Sequence, residues 1–223
     1  MTVLGIETST ATCAVALVKD GRLLAEYRHQ QAKMHAEIIP ALVENLFKTT
    51  ALTFSDLDGV GVSSGPGSYT GLRIGMSLAK GLAFARQIPI AGIPTVEAIA
   101  FGLISAFSPL IIAMPSRKGE IYAGAFVAEN ERAQFVKPVE AVLIAEFPDW
   151  AENIQTVAGP GITALETAGI TGFNYLPERL WQIGALNTGL LAAEKFAVGQ
   201  ADDLHSLEPN YIKPFYTTAK KVG

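Results

Sequence analysis

Short apolar runs broken by polar turns open the chain. Residues 3–6 form one run and residues 13–19 a second. Between the second run and residues 22–27 stands Asp20-Gly21, a dipeptide that accepts positive φ, so a tight hairpin is predicted there. From His35 to Thr50 the period becomes helical. Ile38, Ile39, Leu42, Val43, Leu46 and Phe47 recur at i, i+3 and i+4, with Glu37, Glu44 and Lys48 on the other side. A buried strand is then predicted over 59–63, a loop over SSGPGSYTG, a helix over 70–87, a strand over 88–93 and a helix over 95–107.

Three hairpin-linked strands followed by alternating helix and strand predict a mixed sheet with helices on it, an α/β class. A second unit begins near Ser108-Pro109, which divides the chain into 1–108 and 109–223. Strands are predicted at 110–114 and 120–128 around Ser116-Arg117-Lys118-Gly119, and another strand, Thr156–Ala158, leads into Gly159-Pro160-Gly161. A helix over 183–198 and an irregular tail over 207–216 follow. The halves echo each other loosely through their two Gly-Pro-Gly loops.

Composition narrows the classes. With 49% apolar residues and a single cysteine, Cys13, the chain has material for a core and no intramolecular disulfide. The start MTVLGIETST lacks a basic region and a long apolar run, so a cytoplasmic location is expected. No apolar run approaches the ~20 residues of a spanning helix. A net charge of −4 argues against autonomous nucleic-acid binding.

Gly65-Pro66-Gly67-Ser68-Tyr69-Thr70-Gly71 lies between a strand and a helix, where backbone amides can hold an anion. Its spacing is neither a Walker A motif nor a dinucleotide loop, because Leu72 and Arg73 follow Gly71 and Thr70 stands where a third glycine belongs. The other reading is a turn with close helix packing. Glu7-Thr8-Ser9-Thr10, a carboxylate beside hydroxyls at a strand end, suits a magnesium or phosphate site or, more plainly, a capped turn. His29, His35 and His205 have no metal-ligand spacing.

The helix over 70–87 has two apolar arcs. Gly71, Ile74, Leu78, Leu82 and Ala85 form one; Leu72, Met76, Ala79 and Ala83 form the other, with Arg73, Ser77 and Lys80 as a polar strip. One sheet needs an apolar stripe of only about 100°. The surplus predicts a second packing partner, internal or another polypeptide. The expected partner face is Leu72, Met76, Ala79 and Ala83, joined by His35, Ile38 and Leu42 from the preceding helix.

The start LGIETSTATCAVALVKDG, the run GPGSYTGLRIG, the segment SRKGEIYAG and the tail EPNYIKP together resemble the bacterial TsaB (YeaZ-type) family. The resemblance implies an actin/Hsp70/sugar-kinase-like (ASKHA) fold of two related halves. It also implies a part in making N6-threonylcarbamoyladenosine next to the tRNA anticodon. A non-catalytic dimerisation subunit would there support a TsaD-like transferase and a TsaE-like ATPase subunit, form a homodimer when alone, and meet tRNA only through the complex. The paralogous transferase carries a His-x-x-x-His metal pair where this chain has Thr95 and Ile99, so no metal and no cofactor are expected. Glu7, Thr8, Ser9, Gly65, Gly67, Ser68 and Tyr69 would then be a vestigial phosphate loop with at most weak nucleotide binding. The rival expectation is an active ATP-dependent kinase or ATPase of the same superfamily.

Overall fold

Asp20 and Gly21 both take positive φ, 51° and 74°, and the chain reverses on them. The hairpin joins β2 (Thr12–Lys19) to β3 (Arg22–Gln30), and β2 also pairs antiparallel with β1 (Thr2–Glu7). On the other side of β1, β4 (Gly59–Gly65) and β5 (Ile90–Pro94) continue in parallel, giving the order β3-β2-β1-β4-β5. The computed structural model describes residues 1–30, 34–130 and 132–213. The end of the predicted tail, with Pro214 and Tyr216, lies outside them.

Strand alternation sends Leu4, Ile6, Val15, Leu17, Val60 and Val62 to one face of this sheet. There they meet Ile39, Val43, Leu46 and Phe47 of α1 (His35–Thr50) and Met76, Ala79 and Ala83 of α2 (Tyr69–Arg86). A second sheet repeats the plan. Its strands are β6 (Leu110–Pro115), β7 (Glu120–Glu129), β8 (Arg132–Leu143), β9 (Thr156–Ala158) and β10 (Asn174–Tyr175). The order is β10-β9-β6-β7-β8, with β6-β7-β8 antiparallel and β6-β9-β10 parallel. Read from the other end, this is the topology of the first sheet.

The two sheets lie on either side of residue 108, but two helices are exchanged between them. α3 (Thr95–Leu103) buries Val96, Ile99, Ala100 and Leu103 against Leu110, Ile112, Met114 and Phe126 of the second sheet. Short helices α4 (Phe147–Ala151) and α5 (Ile162–Thr167) cover that sheet's other face, and α6 (Glu178–Trp181) precedes the return. α7 (Ala185–Ala197) then lies on the back of the first sheet, on Val3, Ala14 and Ala16. The approach is so close that a Cβ on Gly5 would stand 2.3 Å from the Ala185 carbonyl oxygen.

Several elements depart from the sequence reading: α4, α5, α6 and β10 carry no prediction, and α7 begins at Ala185 rather than residue 183. β8 is unforeseen, because it is an edge strand whose polar alternation and internal Pro138 mask it. β5 begins at Ile90 rather than residue 88, after the left-handed Gln87 closes α2. α3 stops at Leu103, four residues short of the expected end.

Candidate functional site

β1 ends on Glu7, and the chain turns through Thr8, Ser9 and Thr10 into β2. Glu7 and Thr8 are fully buried and Ser9 is 1% exposed. One Glu7 oxygen accepts the Ser9 amide at 2.5 Å, while Glu7 Oε2, Thr8 Oγ1 and Ser9 Oγ have no hydrogen-bond partner. Burial lifts the Glu7 pKa to about 7, opposed chiefly by Ser9, whose amide the carboxylate accepts, and less by the nearby Ser63 and Thr8. Burial, with the charge of Glu7 added, also pushes the Cys13 thiol up to about 11.

The glycine loop sits directly on this turn. The Ser68 amide donates to Ser9 O at 2.6 Å, and the Gly71 amide donates to Ser68 Oγ at 3.2 Å, which caps α2. A Cβ on Gly67 would stand 2.3 Å from Ser9 O, one on Gly71 2.1 Å from Thr8 O and one on Gly75 2.3 Å from Thr8 Oγ1. These glycines let the first turns of α2 rest on the Thr8-Ser9 turn, and the amides of Ser68 and Gly71 are engaged inside the protein. The second half repeats the device, with Gly161 N–H donating to Ala113 O at 2.9 Å. Tyr69 faces the tail, its ring 5.0 Å from that of Tyr211.

A cleft of about 1120 Å³ separates the lobes, with Ser9, Thr10 and Thr70 on one wall and Met114, Pro160 and Trp181 on the other. Arg28 stands at its rim, held by Glu26 at 2.6 Å. Among the described residues no three His, Cys, Asp or Glu side chains gather as a metal site. Thr95 is fully buried with its hydroxyl unpartnered, and Ile99 packs in the core of the second lobe.

The helical faces require a correction. Leu72, Met76, Ala79 and Ala83 are 0–4% exposed, inside the chain's own core, and are unavailable to a partner. His35 is buried as well; its Nε2 donates to Thr10 O at 2.9 Å. The open side of α2 is the other arc: Ile74, Leu78 and Leu82 are half-buried, and Ser77, Gly81 and Ala85 are exposed. Ile38 and Leu42 of α1 are likewise half-buried. Gly71, grouped by period with the open arc, is itself buried beside Gly75 against Thr8, and helical period alone carries no trace of that contact.

Sequence reasoning also missed Glu26. Its Oε1 accepts the amides of Ala185 and Leu186 at 2.7 and 3.1 Å and so caps α7 from β3. The partners are some 160 residues apart, and no local signal could have joined them.

Comparison with known proteins agrees with this architecture. The family model described as "TsaD: tRNA N6-adenosine threonylcarbamoyltransferase" matches residues 22–193. The tRNA threonylcarbamoyladenosine biosynthesis protein TsaB of Bacillus subtilis (strain 168) is 32% identical over 100% of this chain and 98% of its own length. A tRNA N6-adenosine threonylcarbamoyltransferase of Geobacter sulfurreducens is 38% identical, over 44% of this chain and 34% of its own. A solved Pseudomonas aeruginosa structure, described as similar to peptidase YeaZ, superposes with a TM-score of 0.82 at 24% identity, covering 95% of this chain and 99% of that one. Two mixed sheets with helices on their faces are the ASKHA fold of actin-like ATPases and sugar kinases. Over its full length, then, the chain belongs to the TsaB family of tRNA threonylcarbamoyladenosine biosynthesis proteins.

Proposed function

We propose that this chain is the non-catalytic dimerisation subunit of the assembly that forms N6-threonylcarbamoyladenosine beside the tRNA anticodon, docking a TsaD-type transferase through α1 and α2. The observation that carries the reading is Gly81. A glycine in a helix interior costs roughly 0.5–1 kcal/mol against alanine. Gly71 and Gly75 of α2 each meet backbone or side chain closely enough to justify that cost, but a Cβ on Gly81 would meet nothing within 4 Å among the described residues. The open space would let a partner helix approach closely. Ile74, Leu78 and Leu82 on α2 are half-buried, as are Ile38 and Leu42 on α1. The transferase family model matches this chain across both helices, so the partner would bring a similar pair to a four-helix contact near a twofold axis.

Thr95 and Ile99, buried where the transferase resemblance places two imidazoles, support an accessory rather than a catalytic part. On this reading the chain works in the cytoplasm, where the same face joins two copies in the partner's absence. A TsaE-type ATPase acts on the assembled complex, and tRNA is reached through the transferase. No described helix is long and apolar enough to cross a membrane.

Co-purification with the transferase tests the face. Gly81→Leu and Leu78→Asp should each abolish capture while circular dichroism stays native; capture by both variants at native levels would refute the assignment. Met76→Asp provides the contrast. It places a charge in the core, so it should lose the fold itself, at a cost of about 3 kcal/mol or more.

A further inference from the structure

After α7 the chain runs along the first lobe and reaches the second at Lys213. Asp202 closes the open edge of β5: its carboxylate accepts the Gly92 amide at 2.8 Å and its own amide donates to Ile90 O. Leu204 and Leu207 pack on the first core. Lys80 of α2 donates to His205 O at 3.2 Å, the Asn210 amide donates to Ser64 O at 2.7 Å, and Arg73 Nε donates to Tyr211 OH at 3.2 Å. Each of these anchors belongs to the first lobe. The Lys213 ammonium then donates to Glu120, the first residue of β7 in the second sheet.

We propose that residues 202–213 form a latch that fixes the separation of the two lobes, with the Lys213–Glu120 pair as its clasp. Isolated surface ion pairs contribute little, but this one differs in two ways. The Glu120 side chain is only 11% exposed and also accepts the Ser116 hydroxyl at 3.2 Å, so its position is set from the β6–β7 turn. Lys213 follows a segment already fastened by five hydrogen bonds to the first lobe. The Lys213 hydrogen bond holds the Glu120 carboxyl below its ordinary pKa. Met114 and Pro115, immediately before this turn, line the cleft, so the clasp acts on the cleft wall. A second ion pair between the lobes' elements, Arg132 with Glu194 at 3.2 Å, is 64% and 41% exposed and joins no such fastened segment.

Pulsed electron-spin distance measurement between labels at Ala36→Cys and Lys118→Cys tests the latch on the full chain. Cys13 is buried with its thiol pushed up, so the labels go to the introduced sites. Glu120→Gln should lengthen and broaden the distance distribution, and amide exchange in 116–120 should quicken by about tenfold. The exchanged pair Glu120→Lys with Lys213→Glu should restore the native distribution. An unchanged distribution in Glu120→Gln overturns the proposal. So does a broadened one that the exchanged pair leaves broad, because Glu120 would then act through Ser116 alone.

Discussion

Glu7 is where proton concentration acts on this fold. Its native pKa stands near 7 against the usual 4.5, because burial penalises the charge and no cation among the described residues answers it. The folded state therefore holds a proton that the unfolded chain gives up as pH rises past 4.5. The sign follows: the contribution is fully present below that value and is lost as pH climbs through about 7, up to about 3 kcal/mol by linkage. Calorimetry from about pH 5 to pH 8 should record a falling melting temperature, and Glu7→Gln should flatten the slope. A variant with the native slope would place the titration elsewhere. The sequence reveals a carboxylate at a strand end beside hydroxyls. It does not reveal the depth, which depends on a loop some sixty residues later closing over the turn.

Among the elements, α7 shows how a helix can depend on a distant strand. It starts after Gly184 with no side-chain cap from its own flank. Glu26 supplies the acceptor, and its negative charge suits the positive end of the helix. Glu26→Ala should lower the unfolding free energy by about 1–2 kcal/mol, the range of a lost cap, with Glu26→Gln between it and the native chain. Denaturant titration measures this, and an unaffected midpoint in Glu26→Ala would remove the cap from the account. Period and turn chemistry made most elements legible: α1 runs over the predicted residues, and the Asp20-Gly21 hairpin turns where expected. What a wheel could not say is which of two apolar arcs on α2 goes inward. Nor could it say that Thr8 leaves room only for glycine at positions 71 and 75, where α2 starts against the β1 turn. β8 stayed hidden for the opposite reason, since an edge strand with Lys137 and Pro138 is written to look unlike a strand.

At the scale of the whole molecule, the exchange of α3 and α7 ties the lobes more firmly than the division near residue 108 suggests. Without α7, the back of the first sheet would expose Val3, Ala14, Ala16 and the glycine-lined floor beneath the helix. A fragment of residues 1–108 should therefore fail to give a soluble monomer, and the intact chain should unfold in one cooperative transition; a well-dispersed NMR spectrum from the fragment would contradict this. The same exchange dictates an order of events during translation. The amino-terminal sheet, complete once Pro94 is made, cannot be sealed until α7 has emerged as far as Ala197, so the nascent polypeptide carries an unshielded sheet over the intervening stretch of synthesis and should invite chaperone attention during it.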